Sequence, residues 1–314
     1  MAYIQLIRYE ASLRNDWDTF IDNSKNGTFL FKRDYMDYHS DRFRDDSLIF
    51  LSKKSIIAVL PATSSGTDFS SHAGLTYGGL VMSRDITAAT VLDIFNMILS
   101  YLKSKGFSSF IYKPVPHIYH RLPAEEDLYA LFRCKACLIA RGLSSTILQG
   151  DRLKFRNIRK SGIRKALRNN VTVERTPNFS DFWKILESNL QARHGIYPVH
   201  TLQEIELLAS RFPEEIKLYV AKIGFETIAG TVIYRTATVA HSQYIAASPK
   251  GRETGALDLI FNHLINDVCS DSRYFDFGIS TENDGWYLNE SLEYQKEGFG
   301  ARAVCYDRYM IPLL

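Results

Sequence analysis

Near the C-terminus, the order Tyr294-Gln-Lys296-Glu-Gly298-Phe299 brings a phenol and an ammonium to one place. The run ends a helix-like stretch and precedes a final strand to Ile311. A strand-like segment, Tyr274-Phe275-Asp276-Phe277-Gly278, and a polar loop come before it. Beside a strand end, such a pair offers a proton donor and a fixed positive charge. A third candidate is His241, in the strand run 241–246, because a histidine ring titrates near neutral pH and suits proton removal there. His241 and Gln243 share one strand face, and Tyr244 points the other way. Asp276 and Glu282 bracket the strand end ahead of Gly285, where crowded polar residues are typical of a substrate contact.

Those groups need a sheet and helices to hold them. Short apolar runs at 216–223, 227–235 and 238–246, turning at Gly224 and near Thr236, read as strands. Helices are expected over 179–193 and 202–211, the second capped by Thr201 with Glu204 at the capping-box position. A helical block from Ala256 followed by a strand over 273–278 reads like the block from Val91, which ends at Gly106 and leads to a strand over 107–113. After each come a loop, a short helix (287–297; 125–133) and a closing strand (301–311; 138–148). This parallel implies duplication. The expected fold class is α/β with mixed α+β sheets, in two tandem domains, 1–149 and 150–314.

Tyr-x-Lys-x-Gly-Phe between the last helix and the last strand resembles the end of the GNAT acyltransferase fold. Gly300, with Lys296 four residues before it, also resembles the Fem-type branch, which builds peptidoglycan cross-bridges. The resemblance implies two GNAT-like domains, the first an acceptor side without a donor loop, the second holding the acyl-donor site. It implies N-acyl transfer, with Tyr294 protonating the leaving thiolate and Lys296 stabilising the oxyanion or an acceptor phosphate, and His241 is the candidate base.

In such a fold the donor, acetyl-CoA or another acyl-CoA, rests its pyrophosphate at the start of the helix after the fourth strand. That place is the loop from Ser248 to Ala256, with Lys250, Gly251, Arg252, Thr254 and Gly255 as candidate binders. Its glycines permit close approach, and the two cations add charge. Arg252-x-x-Gly255 fits the first part of the family pattern Arg/Gln-x-x-Gly-x-Gly/Ala. Leu257 stands where the last small residue belongs, which leaves aminoacyl-tRNA as an alternative donor. The matching place in the first half, Met82-Ser-Arg-Asp-Ile-Thr87, has no glycine, so one donor site is expected. For the acceptor, the loop Arg193-His194-Gly-Ile-Tyr197-Pro-Val-His200 suggests a wall through His194 and His200. His72 and Tyr77 are carried over from the first domain of Fem-type proteins.

Composition narrows the field. Net charge is only +3, yet residues 151–175 hold nine of the 38 Lys and Arg against two of the 35 acidic residues. Such a basic helix attracts phosphates of a nucleotide sugar, a lipid pyrophosphate or RNA, or is a solvated connecting face. Nucleic acid other than tRNA is not expected as a partner, since the rest of the second half is acidic. Four cysteines make no disulfide framework, and Cys134-x-x-Cys137 lacks the second pair a zinc site needs. No metal is expected. No apolar run reaches the ~20 residues that cross a bilayer, so the chain reads as soluble and cytoplasmic. The function expected is acyl transfer to an amine of a cell-envelope or polysaccharide precursor. The alternatives are an aminoacyl-tRNA-dependent ligase and an inert module that binds a glycan or an anion.

Overall fold

The structure, a computed structural model, describes residues 3–313. It is a mixed α/β fold that gathers into two compact units. One takes the residues up to Gly142, Thr281–Tyr287 and those from Cys305 onward; the other takes Leu143–Ser280 and Leu288–Val304. The cut expected at 149/150 therefore differs from the division the chain makes. Tyr309 to Pro312 pair with Tyr112 to Ser109 and so join the first unit. Pairing between strands so distant in sequence leaves no local signal.

In the first unit, Ile4–Arg8, Leu48–Ser52, Ser55–Leu60 and Val81–Met82 form an antiparallel sheet. Lys53 and Lys54 both have positive φ and make its tight turn, the backbone that a two-residue hairpin requires. The helix Ala88–Ser104 starts at Thr87, whose side chain accepts from the Thr90 amide. It buries Val91, Ile94, Phe95, Ile98 and Leu102, a stripe at helical spacing.

In the second unit, Thr172–Thr176, Ile216–Ile223, Glu226–Arg235 and Val239–Ala247 run antiparallel in that order. Tyr274–Ile279 then lies parallel to Val239–Ala247, and its far edge pairs with Ser144 to Leu148. Two features shape this sheet. Val232 pairs with Tyr244 and Ile233 with Ser242, so Gln243 is the extra residue of a bulge, and a bulge bends its strand. The parallel pairing runs only from Val239↔Tyr274 to His241↔Asp276. Beyond that point the two strands part. Phe261, Phe275, Phe277 and Phe299 pack beneath them, the Phe261 and Phe277 rings 4.9 Å apart. Burying each ring stabilises the unit by roughly 2–3 kcal/mol.

Candidate active site

A cavity of about 370 Å³ opens where the parallel strands part. Ile245, Ala246 and Ala247 from one strand and Phe277 from the other line it. The chain that follows Ala247 folds as two short helices, Pro249–Thr254 and Ala256–His263, broken at Gly255. Ser248 caps the first, its Oγ accepting from the Gly251 amide at 3.1 Å. A Cβ on Gly251 would lie 2.2 Å from the Ile228 carbonyl oxygen, and one on Gly255 2.6 Å from that of Gly162. The glycines are thus needed for the chain to pack against itself, a reason different from the ligand approach expected of them. Gly255 also has φ +79°, where only glycine is unstrained.

Gly251, Arg252 and Gly255 line the cavity, and Lys250 and Thr254 are not among its walls. The Lys250 ammonium pairs with Glu226 at 2.5 Å, and the Thr254 hydroxyl donates to the Lys250 carbonyl. Arg252 Nη1 donates to the Ala247 carbonyl at 2.6 Å and to Asn189 Oδ1 at 3.2 Å. Arg159, Asn189 and Arg193 bring further polar groups. Arg159 holds Asp258 at 2.7 Å; burial raises that carboxyl above the ordinary range, and the guanidinium opposes the rise. Four cations against one carboxylate, beside the rings of Phe261, Phe277 and Phe299, fit an elongated anionic ligand with an apolar stretch.

The helix Glu290–Glu297 supplies the remaining wall. Leu292, Gln295, Lys296 and, just beyond the helix, Phe299 face the cavity, the spacing of one helical face. Tyr294 lies off that stripe. It is 53% exposed, with the Arg156 guanidinium 4.7 Å from its ring centre, and it does not line the cavity. The phenol expected to act as the acid thus stands outside this cavity's walls, as does His241, the expected base, which is buried and does not line it either. Lys296 is buried, and its Nζ donates to the Gly278 and Ile279 carbonyls, each at 2.8 Å. Burial lowers its pKa to about 8, with Asp276 and Glu293 pulling the other way.

Below the fork, His241 Nδ1 meets Asp276 Oδ2 at 2.7 Å. Asp276 Oδ1 accepts from Ser144 Oγ at 2.6 Å and Thr146 Oγ1 at 2.7 Å. Burial alone would raise this carboxyl; the bonds from His241, Ser144 and Thr146 outweigh it and hold the pKa below the ordinary range. Asp276 is thus a buried partner of His241, not a surface substrate contact.

The remaining acceptor candidates fall elsewhere. His200 is buried, its Nδ1 2.5 Å from the Tyr244 hydroxyl, so it anchors its loop to the sheet rather than walling a cleft. The side chain of His194 lies outside the described residues. Glu282 is exposed on the short strand Thr281–Glu282 of the first unit. In that unit Tyr77 is a core residue, 2% exposed, and its hydroxyl donates to Thr28 Oγ1. His72 is buried 5.3 Å from the His39 ring. Burial, with His39, Lys113 and Arg33 nearby, holds its ring well below the ordinary histidine range. Aromatic rings with polar tips are as useful to a core as to a binding wall.

Sequence reasoning passed over the roles of Arg159, Asn189, Ser144 and Thr146. Arg159 stands in the basic segment already singled out; the other three carry no local signal. Among the described residues, no group of three His, Cys, Asp or Glu side chains is placed to hold a metal ion. Nor is any helix there long and apolar enough to cross a membrane.

Residues 154–294 match the acetyltransferase (GNAT) domain family. No curated protein matches the chain. Among solved structures, FemX superposes with a TM-score of 0.68 at 10% identity, over 98% of this chain and 97% of that one. The C-terminal domain of a putative lysylphosphatidylglycerol synthetase from Agrobacterium fabrum gives 0.61 at 11% identity, over 94% and 91%. A tandem GNAT protein from the clavulanic acid biosynthesis pathway gives 0.50 at 9%, over 99% of each chain. The chain thus has a GNAT-superfamily acyltransferase fold, similar to that of a Fem-type protein, and its acetyltransferase domain over residues 154–294 supports N-acyltransferase activity.

Proposed function

We propose that the chain moves an acetyl or other acyl group from coenzyme A to the amine of a cell-envelope or polysaccharide precursor. It would do so as a tandem GNAT protein, with its one donor site in the second unit. The observation that carries this reading is the cavity at the strand fork, where Arg159, Arg193, Arg252 and Lys296 meet an apolar floor. A thioester donor is anionic at one end and apolar toward its sulfur, and that is the chemistry the walls match. Lys296, tied to two carbonyls at the strand end, is the group for a developing oxyanion, because a preorganised buried cation stabilises such charge without reorganising. His241 is the base that receives the proton of the incoming amine.

A second reading, an aminoacyl-tRNA-dependent ligase, is favoured by Arg159, which comes from the basic helix Asn157–Arg168 and lines the cavity. The two readings separate in one experiment. Acyl-CoAs and charged tRNA are screened for thermal stabilisation, and any product is identified by mass spectrometry. Stabilisation by acyl-CoA with formation of an amide supports the first; an effect of charged tRNA alone transfers the support to the second.

A further inference from the structure

We propose that Asp276 is a positioning residue: it fixes His241 as the Nδ1–H tautomer and so leaves Nε2 to receive the proton of the incoming amine. The proposal rests on the acyl-transfer reading above and adds the device that prepares its base.

Asp276 is fully buried, and hydrogen bonds from both neighbouring strands converge on it. On one side His241 meets Oδ2; on the other, Ser144 and Thr146 donate to Oδ1. An ionised carboxylate only accepts, so the ring nitrogen facing it must carry the hydrogen. Removing a carboxylate from water costs several kcal/mol, and three convergent donors offset that cost.

The opposite edge of the ring faces Gly278. A Cβ there would lie 3.3 Å from His241 Cε1 and 3.9 Å from Nε2, and the φ of +79° admits glycine without strain. The Gly278 carbonyl also receives the Lys296 ammonium. The Nε2 edge and the fixed cation therefore adjoin one residue, at the point where the strands part. The other charged group facing this place is Glu293, from the helix that carries Lys296, and its Oε2 accepts from Ser145 Oγ at 2.7 Å.

In the step this arrangement serves, the amine nitrogen forms a bond to the thioester carbon, and the carbonyl π pair moves onto oxygen near Lys296. Collapse restores the carbonyl and breaks the C–S bond. The proton leaves nitrogen for His241 Nε2 and passes from there to the departing sulfur, so no further reagent is needed.

The test is the tautomer of His241, read by ¹⁵N NMR on protein labelled at histidine, together with transfer from acetyl-CoA to glucosamine across pH. Wild type should show Nδ1–H. In Asp276→Asn, Ser144 and Thr146 hold the amide oxygen, the amide NH₂ turns to Nδ1, and the ring should switch to Nε2–H. Transfer should fall ~10²–10⁴-fold, the acid limb of the rate profile should vanish, and KM for acetyl-CoA should hold. Should that variant fail to fold, Ser144→Ala alone, which leaves Asp276 its bonds from Thr146 and His241, should retain Nδ1–H with a rate loss of at most about tenfold, and a ring that switches to Nε2–H there at full rate overturns the proposal. An Nε2–H ring in wild type, or an Asp276→Asn enzyme with full rate and an unchanged acid limb, overturns the proposal. A wild type that shows Nδ1–H yet forms no amide with any of the acyl-CoAs or charged tRNA of the screen above instead overturns the acyl-transfer reading, and the catalytic role of His241 with it.

Discussion

Each unit holds a cavity beside the start of a helix, and their walls differ in charge. In the second unit the space at the strand fork carries four cations and one carboxylate. In the first, a cavity of about 260 Å³ at the start of Ala88–Ser104 is lined by Asp85, Asp93 and hydroxyls, with no cation among its lining residues. Both helix starts offer backbone amides, and only one is surrounded by charge of the sign that an anionic donor needs. The backbone plan alone therefore does not make a donor site; the side chains around it do. In the second unit those side chains also include a buried lysine that the sheet itself holds in place.

The largest expected effect comes from removing that lysine's charge while keeping its bulk. Lys296→Met should lower the rate of acyl transfer ~10²–10³-fold with little change in KM for the donor, measured by steady-state kinetics. The same position tests the comparison through stability. The Lys296 ammonium titrates at about 8 in the folded protein, against 10.5 for an ordinary lysine. The folded state gives up its proton first, so between about pH 8 and 10.5 the unfolded chain holds more protons. Stability should then rise with pH relative to Lys296→Met, by on the order of 3 kcal/mol in denaturant titrations, and stay level below pH 8. The smallest effect is in the first unit. Tyr77→Phe loses one buried hydrogen bond to Thr28; it should cost about 1 kcal/mol in denaturant titrations and leave the transfer rate unchanged. A large rate loss there would give the first unit a share of the chemistry and weaken the contrast.

Much of this frame was legible in the sequence where the signal is local. The strand Ile216–Ile223 and the helix Leu202–Arg211 with its Thr201–Glu204 capping box stand where pattern and cap chemistry place them. The helical block expected from Ala256 starts there, and a separate short helix, Pro249–Thr254, precedes it because Gly255 turns left-handed between them. The site was legible only in part. Lys296 reaches the cavity, but Tyr294, two residues away, is turned outward by the helical period. Asp276 was singled out at the strand end, yet its partners Ser144 and Thr146 lie 132 and 130 residues away. Nothing short of the sheet register brings them together.

The most direct test of the account is the calorimetric binding of acetyl-CoA to three proteins. The wild type should bind one molecule per chain. Arg193→Ala with Arg252→Ala should weaken that binding ~10–100-fold, as expected for the loss of charge-assisted hydrogen bonds. Asp85→Ala with Asp93→Ala should leave it unchanged. Binding that survives the arginine pair intact, or that falls with the aspartate pair, would contradict a donor site at the strand fork.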